Sequence, residues 1–217
     1  MKSAEDYLDR TESAVRHLFN AVDDYLESLR AGISPIFVSG LPYGPEQDAQ
    51  YSAWRIENAD ALEGAKTAMQ AFRAETFAFD TICGAILQIA EKGLEVYSKN
   101  IHVPDTWKPN FSGNLAKFCV GREVRSTPLG LILYAARNQH THFNDPKLRQ
   151  ASASVFTNLA AAHGCTSSAL DPAFDLANPR LTSYASNVTA LIEWRSIEKY
   201  QADMRSMLGL QPCLQHR

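Results

Sequence analysis

Apolar side chains recur at helical spacing through most of this chain. Leu8, Val15, Val22 and Leu29 repeat every seven residues, with Thr11, Leu18 and Tyr25 between them, which predicts one long helix over residues 3–31 closed by Gly32. A helix packed antiparallel on a neighbour explains that pattern more simply than a coiled-coil seam. Residues 33–45 hold three prolines and two glycines and read as a loop, with Ile36-Phe37-Val38 able to pair as an edge strand. From Glu46 to Asn100 there is no proline, and a break near 73–76 divides the stretch into helices of about 47–73 and 76–99. In the second, Phe79, Ile82, Cys83, Ile86, Ile89, Ala90, Leu94 and Tyr97 fall on one stripe. Gly84 and Gly93 lie on or beside it and permit close helix approach. Asp80 stands next to the stripe, where a solvent-facing carboxylate is the plainer expectation and a site residue the sharper one.

The connection 100–127 carries Pro, Gly and Asn, with Trp107 and Phe111 as anchors. Thr127-Pro128 then has the form of a helix start, as do Asp145-Pro146 and Asn178-Pro179. They predict helices over 128–143, 145–163 (ended by Gly164) and 179–208 (ended by Gly209). The expected fold is therefore all-α: residues 76–217 as a helical bundle of four helices, and residues 1–75 as an N-terminal helical extension packed on it.

Composition changes this picture little. A hydrophobic share of 45% and a charged share of 21% are ordinary for a globular protein. The formal charge of −3 argues against a broad basic surface for nucleic acid. Cys83, Cys119, Cys165 and Cys213 are too scattered for a zinc motif or a disulfide framework. No basic-then-apolar leader opens the sequence and no apolar run approaches about 18 residues, so a cytoplasmic protein is expected. Charge is unevenly placed, however. Residues 1–75 carry 13 acidic and 7 basic side chains, whereas 99–125 hold five basic residues, including Lys117, Arg122 and Arg125, against Asp105 and Glu123. These cations are candidates for binding a phosphate-bearing substrate.

The densest chemistry lies in Arg137-Asn138-Gln139-His140-Thr141-His142, at the end of the most apolar run. Leu129, Leu133 and Arg137 share one helix face, so the guanidinium ends a core stripe and must be paired, reach a rim or serve a ligand. His140, His142 and Asp145 are suitable metal-ligand types, but no further His/Cys cluster lies near them; neither metal nor cofactor is expected. The spelling Arg137-Asn138-x-x-x-His142 resembles the signature of the HEPN superfamily, helical-bundle proteins many of which are metal-independent ribonucleases. That resemblance implies an endoribonuclease acting on RNA by 2′-hydroxyl attack, as a homodimer. Arg137 would steady the phosphate, Asn138 would orient it, and His142 would be the acid/base. His140 and Asp80 are secondary candidates. It also implies a toxin- or defence-like role, which would bring an antitoxin or regulatory protein as partner. The alternative is a non-catalytic module of the same fold that binds nucleotide, RNA or a protein. On a continuous helix, residues five apart point about 140° away from each other. Arg137 and His142 therefore converge only if the helix ends between them or a second subunit supplies one of them.

Overall fold

The computed structural model describes residues 1–110, 113–145, 148–161 and 170–211. They are mostly helical: α1 (Ala4–Ala31), α2 (Pro45–Glu57), α3 (Ala59–Ala74), α4 (Thr76–Tyr97), α5 (Leu129–Thr141), α6 (Gln150–Ala161), α7 (Ala185–Leu191) and α8 (Ile197–Met207). A two-stranded hairpin, β1 (Glu123–Val124) on β2 (Thr127–Pro128), is the only sheet among the described residues. The all-α class read from the periodicity is what the chain adopts. No helix among the described residues is long and apolar enough to cross a membrane.

The chain forms two compact units, Val22–Ala78 and the described residues outside that span. In the Val22–Ala78 unit, Ile36-Phe37-Val38 lies in coil rather than a strand. The expected 47–73 helix is two helices that part at Asn58, whose amide nitrogen donates to the Trp54 carbonyl at 2.9 Å. A side chain that bonds its own preceding turn competes with helix continuation.

The other unit is built around α5. Leu129, Leu131, Ile132, Leu133, Ala135 and Ala136 are all fully buried. A helix apolar on every side belongs inside a core, and α6 and α7 pack against it. In α4, Ile86, Leu87, Ala90 and Leu94 are buried. Asp80, Gly84, Leu87 and Glu91 follow one another at helical spacing on α4, and two of them meet α5 directly, Gly84 at His140 and Glu91 at Arg137.

Two of the three proline-marked starts are used differently from the expectation, and the third lies partly outside the described residues. Thr127-Pro128 forms β2, and α5 begins one residue later; the Thr127 hydroxyl accepts from Asn158 of α6 at 2.8 Å instead of capping the helix. Asn178 closes an Asx-type turn onto the Arg180 amide at 3.1 Å, and α7 starts only at Ala185. Pro146, Gly164 and Phe111 fall outside the described residues, and α6 opens at Gln150 rather than 145. The single helix expected over 179–208 is broken at 192–196. There Glu193 takes a left-handed φ of 61°, Trp194 turns into the core, and Ser196 restarts α8 as its N-cap.

Candidate functional site

The end of α5 decides how the Arg137–His142 segment is arranged. The His142 amide still donates to the Asn138 carbonyl at 3.0 Å, so helical geometry runs unbroken from Arg137 to His142. The two side chains consequently diverge by about 140°, and their partners differ. Arg137 faces α4, where its Nε lies 3.8 Å from Glu91 Oε2. His142 faces outward and places Nδ1 3.0 Å from Asp145 Oδ2. Among the described residues of one chain, Arg137 and His142 have different partners.

Arg137 is half-buried. Its Nη1 donates to Asn138 Oδ1 at 3.1 Å, while its Nε is enclosed without a hydrogen-bond acceptor. Asn138, buried, donates in turn to Ser152 Oγ of α6 at 3.4 Å, so its amide ties α5 to α6. Glu91 is only 6% exposed, and burial pushes its carboxyl above the ordinary range, an effect that the Arg137 charge partly offsets. Because the folded-state pKa is raised, the contribution to stability is full below the unfolded value of 4.5 and is lost as pH rises through the folded pKa. Glu91→Gln cannot ionise. The stability of that variant relative to wild type is therefore expected to improve as pH rises from the unfolded value through the raised folded pKa. Chemical denaturation across that range measures it, and a pH-independent difference would contradict the raised pKa.

His140 points at α4 rather than at His142. Its ring lies over the bare Cα of Gly84, and its Nδ1 is 3.0 Å from Ser183 Oγ. Desolvation lowers its pKa, opposed by the nearby Asp80. Asp80 itself is 8% exposed, so the solvent-facing expectation for it fails: it accepts from the Ser186 amide at 3.2 Å, and burial raises its pKa. Together they lock α4, α5 and the start of α7. A methyl group at Gly84 would overlap the imidazole. Gly84→Ala is thus expected to lose about 1–3 kcal/mol by overpacking, less the gain of up to about 1 kcal/mol that alanine brings to a helix interior. A thermal melt showing net stabilisation would mean that the ring is free to move aside.

The three cations proposed for substrate are committed to protein partners. Arg122 donates to Asp203, from Nε at 3.1 Å and Nη2 at 3.2 Å, and also to the Ile192 carbonyl. Arg125 pairs with Asp171 at 2.8 Å and stacks over Phe174. Lys117 donates to the Glu95 carbonyl at 2.6 Å. A phosphate at Arg122 or Arg125 would compete with these acids, whereas the Lys117 ammonium has further donors beyond the one bonded to Glu95.

Beside His142 lies a cleft of about 490 Å³, between the end of α5, the start of α6 and the segment leading to α7. Gln139, to which the motif reading gave no role, braces it: Nε2 donates to the Thr182 carbonyl at 2.9 Å and Oε1 accepts from the Tyr184 amide at 3.0 Å. His140 and the His142–Asp145 pair face different surroundings, and no group of three or more His, Cys, Asp or Glu among the described residues is placed to hold a metal ion. No family model, curated protein or solved structure matches this chain.

Proposed function

We propose that this chain is a metal-independent endoribonuclease of the HEPN type that works as a homodimer, with His142 as acid and base. The observation that carries this reading is the His142–Asp145 pair: an exposed imidazole, its Nδ1 3.0 Å from a carboxylate, at the mouth of a cleft. A carboxylate on Nδ1 orients the ring and leaves Nε2 as the atom that exchanges a proton with substrate.

The reaction needs two proton transfers. An RNA 2′-hydroxyl attacks the adjacent phosphorus, and its proton passes to Nε2 of one His142. The bond to the 5′-oxygen breaks, and that oxygen takes a proton from a second, protonated imidazole. The products are a 2′,3′-cyclic phosphate and a 5′-hydroxyl. One His142 cannot serve as base and acid in the same step, and Arg137 points away from it. A second copy across a two-fold axis supplies the missing groups, as His142 of the partner subunit and the partner subunit's Arg137. The guanidinium would then bear on the charge that develops on the phosphate oxygens.

A second reading, a non-catalytic helical module that binds nucleotide, RNA or a protein partner, draws on the Arg137–Glu91 pair. A half-buried arginine beside a buried carboxylate is also how a purely structural cation is held. Purified protein incubated with a mixed RNA pool and excess chelator separates the two. Cleavage leaving 2′,3′-cyclic phosphate ends, and lost in His142→Ala, is expected. RNA left intact by the wild type gives the place to the binding module.

A further inference from the structure

We propose that the extended segment 34–40 is an unpaired strand edge that joins, antiparallel, the same segment of a second copy of this chain. The proposal is independent of the ribonuclease reading, whose groups all lie outside the Val22–Ala78 unit. Residues 35–40 alternate between half-buried and exposed, the period of a strand with one covered face. Phe37 turns onto Tyr51 and Trp54 of α2, with ring centroids at 5.2 and 5.6 Å, and the Ser39 hydroxyl donates to Gln50 at 2.7 Å. Ile36 and Val38 are 81% and 83% exposed. Among the described residues, no hydrogen bond uses a backbone group of residues 34–40. Natural proteins guard such an edge with charge, but no charged residue occurs from Ala31 to Pro45. The segment is also complementary to itself. An antiparallel ladder centred on Phe37 sets Ile36 opposite the partner subunit's Val38, and Pro35 opposite the partner subunit's Ser39. Bonded and non-bonded pairs alternate along such a ladder. With Phe37 in a non-bonded pair, Ile36 and Val38 exchange backbone bonds, and Pro35 sits where no N–H is needed. The two-fold axis makes the Ile–Val pair twice, so the second copy brings the matching strand with it.

The test uses the full-length chain and two double variants. In Ile36→Glu/Val38→Glu each glutamate faces a glutamate of the other copy, whereas in Ile36→Lys/Val38→Glu each charge faces its opposite. Both replace side chains that already stand in solvent, so the fold tolerates them. By sedimentation, the glutamate pair is expected to at least halve the assembled mass of the wild type. The lysine–glutamate pair is expected to keep that mass, associating about tenfold or more tightly than the glutamate pair. Amide exchange followed by NMR reads the register directly. At high protein concentration the Ile36 and Val38 amides are expected to be protected and those of Phe37 and Ser39 to exchange fast, and dilution should remove the difference. Equal loss of mass in the two variants, or protection of Phe37 in step with Ile36, overturns the inference. A wild-type dimer that the glutamate pair leaves intact also overturns it, while the homodimeric ribonuclease reading stands. A monomeric wild type counts against both. RNA cleavage lost with the assembly and its exchange pattern retained removes the reaction and keeps this edge.

Discussion

Replacing His142 with alanine is expected to slow RNA cleavage by about 10²–10⁴-fold, the usual contribution of a general acid/base, without weakening the fold. His142 is 46% exposed on its side chain and touches Asp145, itself an exposed residue. Surface substitutions of this kind stay within about 0.5 kcal/mol. His140→Ala is expected to do the reverse. It removes a ring from the Gly84 contact and the partner of Ser183, at a cost of about 1–3 kcal/mol, while the protein that remains folded is expected still to cleave RNA. One cleavage gel and one thermal melt on each variant therefore separate the two histidines. Cleavage lost in His140→Ala but kept in His142→Ala, with both proteins folded, would transfer the acid/base role to His140, which shares the α4-facing side of α5 with Arg137. Neither substitution affecting a cleavage that chelators abolish would point to metal chemistry instead.

Local pattern carried most of the fold and stopped at the same kind of place each time. The α4 stripe was legible because apolar spacing needs only neighbours along the chain, and Ile86, Ala90 and Leu94 are buried as that spacing requires. The breaks at Asn58 and 192–196 were not legible. Each depends on a bond whose partner the periodicity does not name: Asn58 on the Trp54 carbonyl, and the second break on Trp194 reaching Asp203. The proline-marked start at 127 misplaced a helix for a related reason, since the Thr127 hydroxyl is taken by Asn158 of α6; Asn178 does accept from the Arg180 amide as a cap would, but no helix follows it before Ala185.

The same distinction runs through the candidate site. Arg137 and His142 could be picked out by residue type, and their divergence followed from 100° per residue once the helix was known to be continuous. Glu91, which faces Arg137, received no role, although it lies at three- and four-residue steps from Asp80 through Gly84 and Leu87. Two acids and a glycine on one helix face were the available signal for a polar seam between α4 and α5. Ser183 had none, because 43 residues separate it from His140. Lys117, Arg122 and Arg125 show that a local excess of positive charge in the sequence can find partners elsewhere in the chain. The acids that neutralise two of them, Asp203 and Asp171, come from distant segments.

Asp203→Ala is expected to be the most damaging single change to the fold, lowering stability by about 3–5 kcal/mol, the range for breaking a buried ion pair by deleting one partner. Asp203 is 8% exposed, and its two oxygens serve three donors from two segments. Arg122 reaches them from the loop before β1, and the Trp194 indole donates at 2.9 Å from the break between α7 and α8. Trp194 is 1% exposed, so its N–H would find no water if the acceptor were removed, which alone costs about 1–3 kcal/mol. Arg122 keeps a third of its side chain in solvent and can rehydrate, which places the expected loss near the lower end of the range. For a chain of this length, each kcal/mol moves the melting temperature by about 2–4 °C. A fall of roughly 6–12 °C should follow. Asp203→Asn retains an acceptor for the indole but not the charge opposite Arg122, and should lose about half as much. Equal losses in the two variants would assign the effect to the ion pair alone. A loss below about 0.5 kcal/mol in Asp203→Ala, the scale of an ordinary surface change, would show that the kink at 192–196 holds without this anchor.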